Sequence, residues 1–262
     1  MTWTEECDKN YEDFVGRLAT QLQRYDAKKW QYNIMFPEGY NNEIFIGDST
    51  LISIIAPMPW LQIRYTTDGS EPNAESQAYT APIVINDNVV LKSKCFLPNG
   101  NSSKTRTGEI NKVEIMKAHD VSGLQKGLTI KLFTGKITEL NDFSRLIPMN
   151  EGISNTVSIP DSMKGDGFAL QFDGYIQIAK DDVYTFSLIS DDGSQLFIND
   201  SLVVNSDGIH GGIEKYGRIA LAKGMHKIHV KYFEARFGQE LKLLYETKEM
   251  KQLTVPAEVL FH

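Results

Sequence analysis

The sequence has little cysteine, no long apolar run and no excess of positive charge. Its 262 residues include only Cys7 and Cys95, and two lone thiols are more often buried and inert than joined in a disulfide. No apolar segment approaches the roughly 20 residues that span a bilayer, so membrane insertion is not expected. The formal net charge of −7 argues against a nucleic-acid partner, because phosphate recognition needs clustered Lys and Arg.

Familiar catalytic patterns are also missing from the sequence. There is no Gly-x-Ser-x-Gly elbow, no phosphate-binding glycine loop and no cysteine-histidine signature. His210 and His226 do not have metal-ligand spacing. His226 alternates with Ile228 and is predicted to face a core with its nitrogens bonded, whereas His210 is predicted to pin a loop. We therefore predict no catalytic residues and no hydrolase activity for this chain alone.

One amphipathic helix is predicted near the start of the chain. Apolar residues recur there at steps of three and four: Tyr11, Phe14, Leu18, Leu22 and Tyr25. Thr4 or Asp8 is expected to cap its N-terminus. A helix this short needs a packing partner, and no later segment repeats the helical pattern. The partner of the apolar stripe is therefore expected outside the chain.

The rest of the sequence predicts a mainly β protein with two sandwiches. From about residue 40, short alternating runs are separated by turns such as Asp68-Gly69 and Asn99-Gly100, which is typical of a small immunoglobulin-like sandwich. From about His119 a larger β unit follows. In its late strand, His226 to Tyr232 alternate between a core face and a face carrying Lys227 and Lys231.

Two stretches in the first part of the chain resemble segments of one enzyme family. Trp3-Thr4, Asn10-Tyr11-Glu12-Asp13-Phe14 and Arg17-Leu18 resemble the last helix of a glycoside hydrolase family 20 catalytic barrel. Residues 63–72, IRYTTDGSEP, resemble the sandwich that follows this barrel in chitobiases and β-hexosaminidases. The resemblance implies that residues 1–36 hold the terminal helix of an absent barrel and that residues 37–117 form the first sandwich.

A third stretch is similar to the PA-14 domain, a β-sandwich module found in glycosidases, adhesins and toxins. The resemblance rests on Tyr184-Thr185-Phe186, Ser190-Asp191-Asp192-Gly193-Ser194, Gly208-Ile209-His210 and Tyr232-Phe233-Glu234. It runs from about Gly127 to Pro256 and implies a PA-14 domain over residues 118–262.

The PA-14 resemblance implies a candidate site at Asp191 and Asp192. In a sugar-binding subset of these modules, such a pair, joined by a cis peptide, chelates Ca²⁺ together with an Asn from a later loop. Glu234 stands at the matching position here, and the sugar-contacting residues implied are His210, Arg236 and Phe237. The alternative is a hydrogen-bonded turn in which the carboxylates of the pair cap backbone N–H groups.

The function expected from these resemblances is that of a non-catalytic, carbohydrate-binding accessory region of a β-N-acetylhexosaminidase. Its expected partners are N-acetylhexosamine-containing glycans and the catalytic barrel of the parent chain. Two alternatives remain: sandwiches that only stabilise the parent, and an independent adhesin-like module. The family implies an extracellular, periplasmic or cell-surface location, although the polar start of this chain does not predict a signal peptide.

Overall fold

The structure is a computed structural model that describes residues 10–163 and 165–262. The chain divides into two compact units after Lys112. The predicted boundary lies after residue 117, and the segment just before it pairs within the second unit. Met116 N donates to Ala220 O at 2.9 Å, and His119 N donates to Met225 O at 2.7 Å. The segment that includes Trp3, Thr4, Cys7 and Asp8 lies outside the described residues.

The predicted helix, α1, spans Tyr11–Ala27. Asn10 caps it, in place of the expected Thr4 or Asp8, because the Asn10 side chain accepts a hydrogen bond from Asp13 N at 3.1 Å. Val15 is buried in the core of the first sandwich, and Leu18 packs against that core. Part of the apolar stripe thus has a partner within the chain, whereas Tyr11 and Phe14 remain exposed.

The end of α1 is tied to the first sandwich through one carboxylate. Asp26 accepts hydrogen bonds from Tyr32 Oη at 2.7 Å, Asn99 Nδ2 at 2.6 Å and Asn101 Nδ2 at 3.3 Å.

None of the helices among the described residues is long and apolar enough to cross a membrane.

The first unit is a small β-sandwich. Its strands are β1 Glu43–Phe45, β2 Thr50–Ile52, β3 Gln62–Thr66, β4 Gln77–Ala78, β5 Ile83–Ile85, β6 Val89–Phe96 and β7 Arg106–Lys112. One sheet has the order β1-β7-β6-β3-β4, and β2 pairs with β5 in the other. Cys95 is fully buried on β6, as predicted, and burial raises the pKa of its thiol to about 12.

The predicted turn at Asp68 is confirmed. Asp68 Oδ1 accepts from the backbone N–H and the hydroxyl of Ser70, at 3.0 and 2.6 Å. The Ser70 hydroxyl is the larger cause of a lowered pKa at this carboxyl. The turn leads to Glu71, which binds Lys92 and Lys94 on β6.

The second unit is a larger sandwich of two sheets. Its strands are β8 Leu128–Thr134, β9 Asn150–Ser154, β10 Phe168–Ile178, β11 Asp182–Asp191, β12 Ser194–Ile198, β13 Ser201–Ser206, β14 Ile213–Leu221, β15 Gly224–Glu234, β16 Glu240–Glu246, β17 Leu253–Thr254 and β18 Leu260–Phe261. One sheet has the order β13-β12-β15-β10-β8-β9, with β18 beside β10. The other has the order β14-β11-β16-β17. The predicted fold class, mainly β with one N-terminal helix and two sandwiches, is confirmed.

The core of the second unit lies between these two sheets. Phe172, Phe186, Leu188, Leu196 and Val230 are fully buried there. The alternation predicted for β15 is present, since His226, Ile228, Val230 and Tyr232 are buried whereas Lys227 is exposed. This packing fixes the ends of β11, β12 and β15, where the candidate site lies.

Candidate functional site

The candidate site lies where the chain crosses from one sheet of the second unit to the other. Strand β11 ends at Asp191 in the smaller sheet, and β12 begins at Ser194 in the larger one. Strand β15 runs beside β12 and ends at Glu234. The crossing thereby brings the Asp191–Asp192 pair next to a residue more than 40 positions later in the chain.

Three carboxylates meet at this crossing. One oxygen from each of Asp191, Asp192 and Glu234 lies within 4.8 Å of the other two. The Asp191–Asp192 peptide bond is cis. The three residues that the sequence predicted as ligands are therefore adjacent in space.

Asp192 is buried and bound to backbone groups on two loops. Its Oδ1 accepts from His210 N at 2.9 Å, and its Oδ2 accepts from Ala235 N at 2.8 Å and Arg236 N at 3.3 Å. This carboxylate therefore ties the β13–β14 loop to the β15–β16 loop. It caps backbone N–H groups, as the turn interpretation predicted. Together with Asp191 and Glu234 it forms what we call the acidic cluster.

Asp191 is half-buried beside Asp192. Burial raises the pKa of its carboxyl, and the charge of Asp192 adds to the rise. Its oxygens have a close neighbour in the β15–β16 loop, because a β-carbon built on Gly238 would lie 2.4 Å from Asp191 Oδ2. Glycine at position 238 leaves the room that this carboxylate occupies.

Glu234 is fully buried at the end of β15. Its Oε2 contacts Tyr232 Oη at 3.0 Å, whereas Oε1 has no hydrogen-bond partner among the described residues. Burial raises the pKa of this carboxyl to about 7, and the charges of Asp192 and Asp191 act in the same direction. A buried carboxylate oxygen without a partner is unfavourable, so this atom points to a ligand.

His210 pins the loop that covers the site, as predicted. Its Nε2 lies 3.0 Å from Ser206 O and 3.1 Å from Ser206 Oγ, and its Nδ1 lies 2.9 Å from Gly211 O. The ring is thus engaged within its own loop, and the residue reaches the acidic cluster through its backbone N–H to Asp192.

The other two predicted sugar-contacting residues are exposed beside the cluster. Phe237 is 88% exposed and has a φ of 80°. The guanidinium of Arg236 lies 5.4 Å from the centre of its ring. A positive φ is uncommon for a residue other than glycine, and it places this aromatic ring on the surface next to the three carboxylates.

The acidic cluster fits a hard divalent cation. Ca²⁺ takes six to eight oxygen ligands, of which carboxylates are the strongest, and three carboxylates supply part of such a set. The buried, unpartnered Glu234 Oε1 is the observation that tests the fit, because a cation would satisfy it. In this arrangement Asp191, Asp192 and Glu234 would hold the ion, leaving further coordination positions for water or ligand hydroxyls.

Other acidic and histidine residues of the sequence take structural roles. Asp207 Oδ1 accepts from Leu140 N at 2.8 Å, at the start of the 3₁₀ helix Leu140–Arg145. Asp200 is an exposed turn residue near Lys227. His226 is buried with its ring nitrogens 2.9 Å from Asn199 Nδ2 and 2.8 Å from Ala222 O, which confirms the predicted core role.

Sequence reasoning missed the residues that hold the cluster in place. Tyr232 contacts Glu234, and Gly238 leaves room for the Asp191 carboxylate, although neither residue is acidic. The alternation of β15 contained a signal for Tyr232, because residues two apart on a strand share a face and Glu234 follows it by two. No comparable pattern identifies Gly238, whose role depends on how the loop folds.

Comparison with known families identifies both sandwiches. Residues 38–107 match the chitobiase/beta-hexosaminidase C-terminal domain, and residues 144–254 match the PA14 domain. The resemblances of the two sandwiches are thereby confirmed, whereas the resemblance of residues 1–36 to the last helix of a catalytic barrel stays a prediction.

One curated relative spans most of the chain. The beta-hexosaminidase of Porphyromonas gingivalis (strain ATCC BAA-308 / W83) is 25% identical over 245 residues. The match covers 87% of this chain and 30% of that protein. The chain therefore spans less than a third of the length of this relative.

Solved structures with a similar course of the chain include a PA14 domain and an adhesin domain. The PA14 sugar-binding domain from an RTX adhesin is 13% identical, with a TM-score of 0.46, and the match covers 52% of this chain and 98% of that one. The Epithelial Adhesin 6 A domain from Candida glabrata, solved in complex with Galb1-3GlcNAc, is 11% identical, with a TM-score of 0.44 and coverage of 54% and 89%.

Proposed function

We propose that this chain, which carries a chitobiase/beta-hexosaminidase C-terminal domain and a PA14 domain, binds glycans through Ca²⁺ held by Asp191, Asp192 and Glu234. It serves as a non-catalytic accessory region of a β-N-acetylhexosaminidase-type glycoside hydrolase. The observation that carries the proposal is the buried Glu234 carboxylate, whose Oε1 has no hydrogen-bond partner in the described part of the chain and which lies against two further carboxylates.

Electrostatics favour a bound cation at this cluster. Three carboxylates within 4.8 Å of one another repel, and two of them are almost fully buried. Such a group is stable when a cation compensates its charge, and burial without one is costly. Ca²⁺ bound there supplies coordination positions for sugar hydroxyls, and the exposed Arg236 and Phe237 offer a guanidinium and an aromatic face beside them.

The match to a longer beta-hexosaminidase supports the proposal that this chain is part of such an enzyme and binds glycans of the kind that the enzyme acts on. In the proposal the glycans contain N-acetylhexosamine, the catalytic barrel belongs to the parent chain, and the 262 residues alone are inactive. Incubation of the purified chain with a chromogenic N-acetylglucosaminide tests the last point, since clear turnover would refute it.

The proposed location is extracellular, periplasmic or at the cell surface, where the Ca²⁺ concentration is high enough to fill weak sites. Recovery of the protein only from the cytosolic fraction of its source cells would contradict this location.

A purely structural function is the second candidate, and one observation favours it. Both oxygens of Asp192 already accept backbone hydrogen bonds from the β13–β14 and β15–β16 loops. The pair would then fasten these loops and stabilise the parent protein without binding a ligand.

A glycan array probed with and without Ca²⁺ separates the two functions. We expect the full chain to bind N-acetylhexosamine-containing glycans in Ca²⁺ and to lose that binding in chelator. Asp191→Asn should abolish binding, whereas Asp200→Asn, which removes the same charge from an exposed turn of the same domain, should retain it. Ca²⁺-independent binding, or none by a chain that is correctly folded, would refute the proposal. If Ca²⁺ raises the melting temperature while no glycan binds, the structural function is supported instead.

A further inference from the structure

Tyr232 lies beneath the acidic cluster, in the core of the second unit. It stands on β15 opposite Ser194 of β12 and Leu170 of β10, and its side chain is fully buried. Because successive side chains on a strand point to opposite faces, Tyr232 and Glu234 share one face of β15. The phenol ring is therefore held by the core while its hydroxyl reaches the end of the strand.

The hydroxyl of Tyr232 joins two members of the cluster. It is the donor to both the backbone carbonyl oxygen of Asp191 and Glu234 Oε2, the latter at 3.0 Å, and its single proton is shared between these two acceptors. One atom thus contacts the main chain of the first aspartate and the carboxylate of the glutamate. These residues belong to strands of different sheets, β11 and β15.

This contact fixes which Glu234 oxygen is available to a ligand. With Oε2 engaged by Tyr232, Oε1 is the oxygen that has no partner among the described residues. A glutamate has three rotatable side-chain bonds, so a carboxylate without such an anchor would lose more conformational freedom when it binds an ion. Groups that orient metal ligands in this way commonly change metal affinity by 10–100-fold when they are mutated.

We propose that Tyr232 is a positioning residue for the cation site. Its hydroxyl holds the Glu234 carboxylate and the Asp191 main chain in the arrangement that binds the ion, without coordinating the ion itself. The inference rests on the proposed function, because it requires that the cluster of Asp191, Asp192 and Glu234 binds Ca²⁺.

The test is calorimetric titration of Ca²⁺ into the metal-stripped full chain and its Tyr232→Phe variant. The substitution keeps the ring and removes one oxygen. We expect the dissociation constant for Ca²⁺ to rise by about 10–100-fold. The matched control is Tyr184→Phe, because Tyr184 is also buried in this unit and its hydroxyl donates to Lys180 O at 3.1 Å, outside the cluster. The control should bind Ca²⁺ as the wild type does.

A double-mutant cycle distinguishes positioning from a general loss of packing. If Tyr232 acts through Glu234, removing its hydroxyl in a Glu234→Gln background should weaken Ca²⁺ binding much less than it does in the wild type. An equal effect in both backgrounds would overturn the inference, as would an unchanged affinity in Tyr232→Phe. A wild-type chain that binds no Ca²⁺ would overturn the proposed function and the inference together.

A measurement on the wild type keeps the inference testable should the Tyr232→Phe variant not fold. Tyr232 is a tyrosine whose hydroxyl contacts a proposed ligand, so Ca²⁺ should shift the tyrosine ultraviolet absorption of the wild type. The Tyr184→Phe chain should show the same shift. Saturation with Ca²⁺ that produces no tyrosine difference spectrum would contradict a hydroxyl coupled to the site.

Discussion

The absence of a side chain at Gly238, in the β15–β16 loop, decides where the Asp191 carboxylate can lie. A β-carbon at position 238 would be 2.4 Å from Asp191 Oδ2, which is the far end of a side chain that can move aside. Gly238→Ala should therefore leave the free energy of unfolding of the metal-free chain within about 0.5 kcal/mol of the wild type. It should raise the dissociation constant for Ca²⁺ about tenfold or more, because Asp191 is displaced.

Calorimetry and urea unfolding of Gly238→Ala measure both quantities. Gly211→Ala is the control, because a β-carbon there meets nothing within 4 Å and the residue lies on the neighbouring loop. Equal Ca²⁺ affinities in Gly238→Ala and the wild type would show that Asp191 is not a ligand in its present position.

The acidic residues of the site were predictable, and the groups that support them were not. Asp191 and Asp192 follow from the family motif, and Glu234 follows from its position, where the motif has an Asn. The backbone N–H groups that bind Asp192 carry no residue identity, so a sequence pattern cannot reveal them. The room at Gly238 depends on a contact between segments that are distant in sequence.

At the scale of elements, α1 contains an exposed glycine in its interior. Gly16 lies within Tyr11–Ala27, and a β-carbon there would meet nothing within 4 Å. Glycine in a helix interior is less favourable than alanine by roughly 0.5–1 kcal/mol. Gly16→Ala should stabilise the first unit by about that amount.

Tryptophan fluorescence during urea unfolding can measure this change in the full chain. Trp30 and Trp60 lie in the described part of the first unit, and the sequence has no tryptophan after Lys112, so no tryptophan emission comes from the second unit. An unchanged midpoint in Gly16→Ala would indicate that α1 does not unfold together with the first sandwich.

A further prediction concerns the ion pairs that Glu71, next to the Asp68 turn, makes with Lys92 and Lys94 on β6. Glu71 lies 2.8 Å from Lys92 Nζ and 2.6 Å from Thr105 Oγ1. The hydrogen bond from Lys92, followed by those from Thr105 and Lys94, lowers the pKa of this carboxyl to about 2 from an ordinary value of 4.5. A lowered pKa means that the contribution of Glu71 to stability is present above pH 4.5 and is lost as the pH falls through 2.

Glu71→Gln should therefore flatten the dependence of first-unit stability on pH between about 5 and 2. Urea midpoints followed by tryptophan fluorescence at pH 7 and pH 3 check this. Because Glu71 is exposed, salt should weaken the effect. An identical pH dependence in the variant and the wild type would show that these ion pairs do not stabilise the fold.

The elements themselves were largely predictable, since alternation with glycine turns gives β strands and three-to-four spacing gives α1. The packing of α1 was not. Its stripe from Tyr11 to Tyr25 predicts an apolar face but not the surface it meets, and the structure buries Val15 on the first sandwich while Phe14 stays exposed. The sequence pattern also does not indicate that Met116, which lies before the predicted boundary, pairs with Ala220 of the second unit.

Across the two units of the chain, the cation is predicted to stabilise the second unit only. Asp191, Asp192 and Glu234 all belong to the unit that begins at Val113. Ca²⁺ at 100 times its dissociation constant should stabilise that unit by about 2.7 kcal/mol. The urea transition detected by tryptophan fluorescence should not move, whereas the transition detected by circular dichroism of the β-rich second unit should shift to higher urea. A Ca²⁺-dependent shift of the tryptophan signal would contradict this.

A crystal of the full chain grown with Tb³⁺ in place of Ca²⁺ can show whether Asp191, Asp192 and Glu234 form a cation site. We expect an anomalous-scattering peak about 2.3–2.6 Å from carboxylate oxygens of all three residues, with Tyr232 Oη outside the coordination shell. A well-ordered crystal with no peak at this cluster, or with Tb³⁺ bound elsewhere on the second unit, would contradict it.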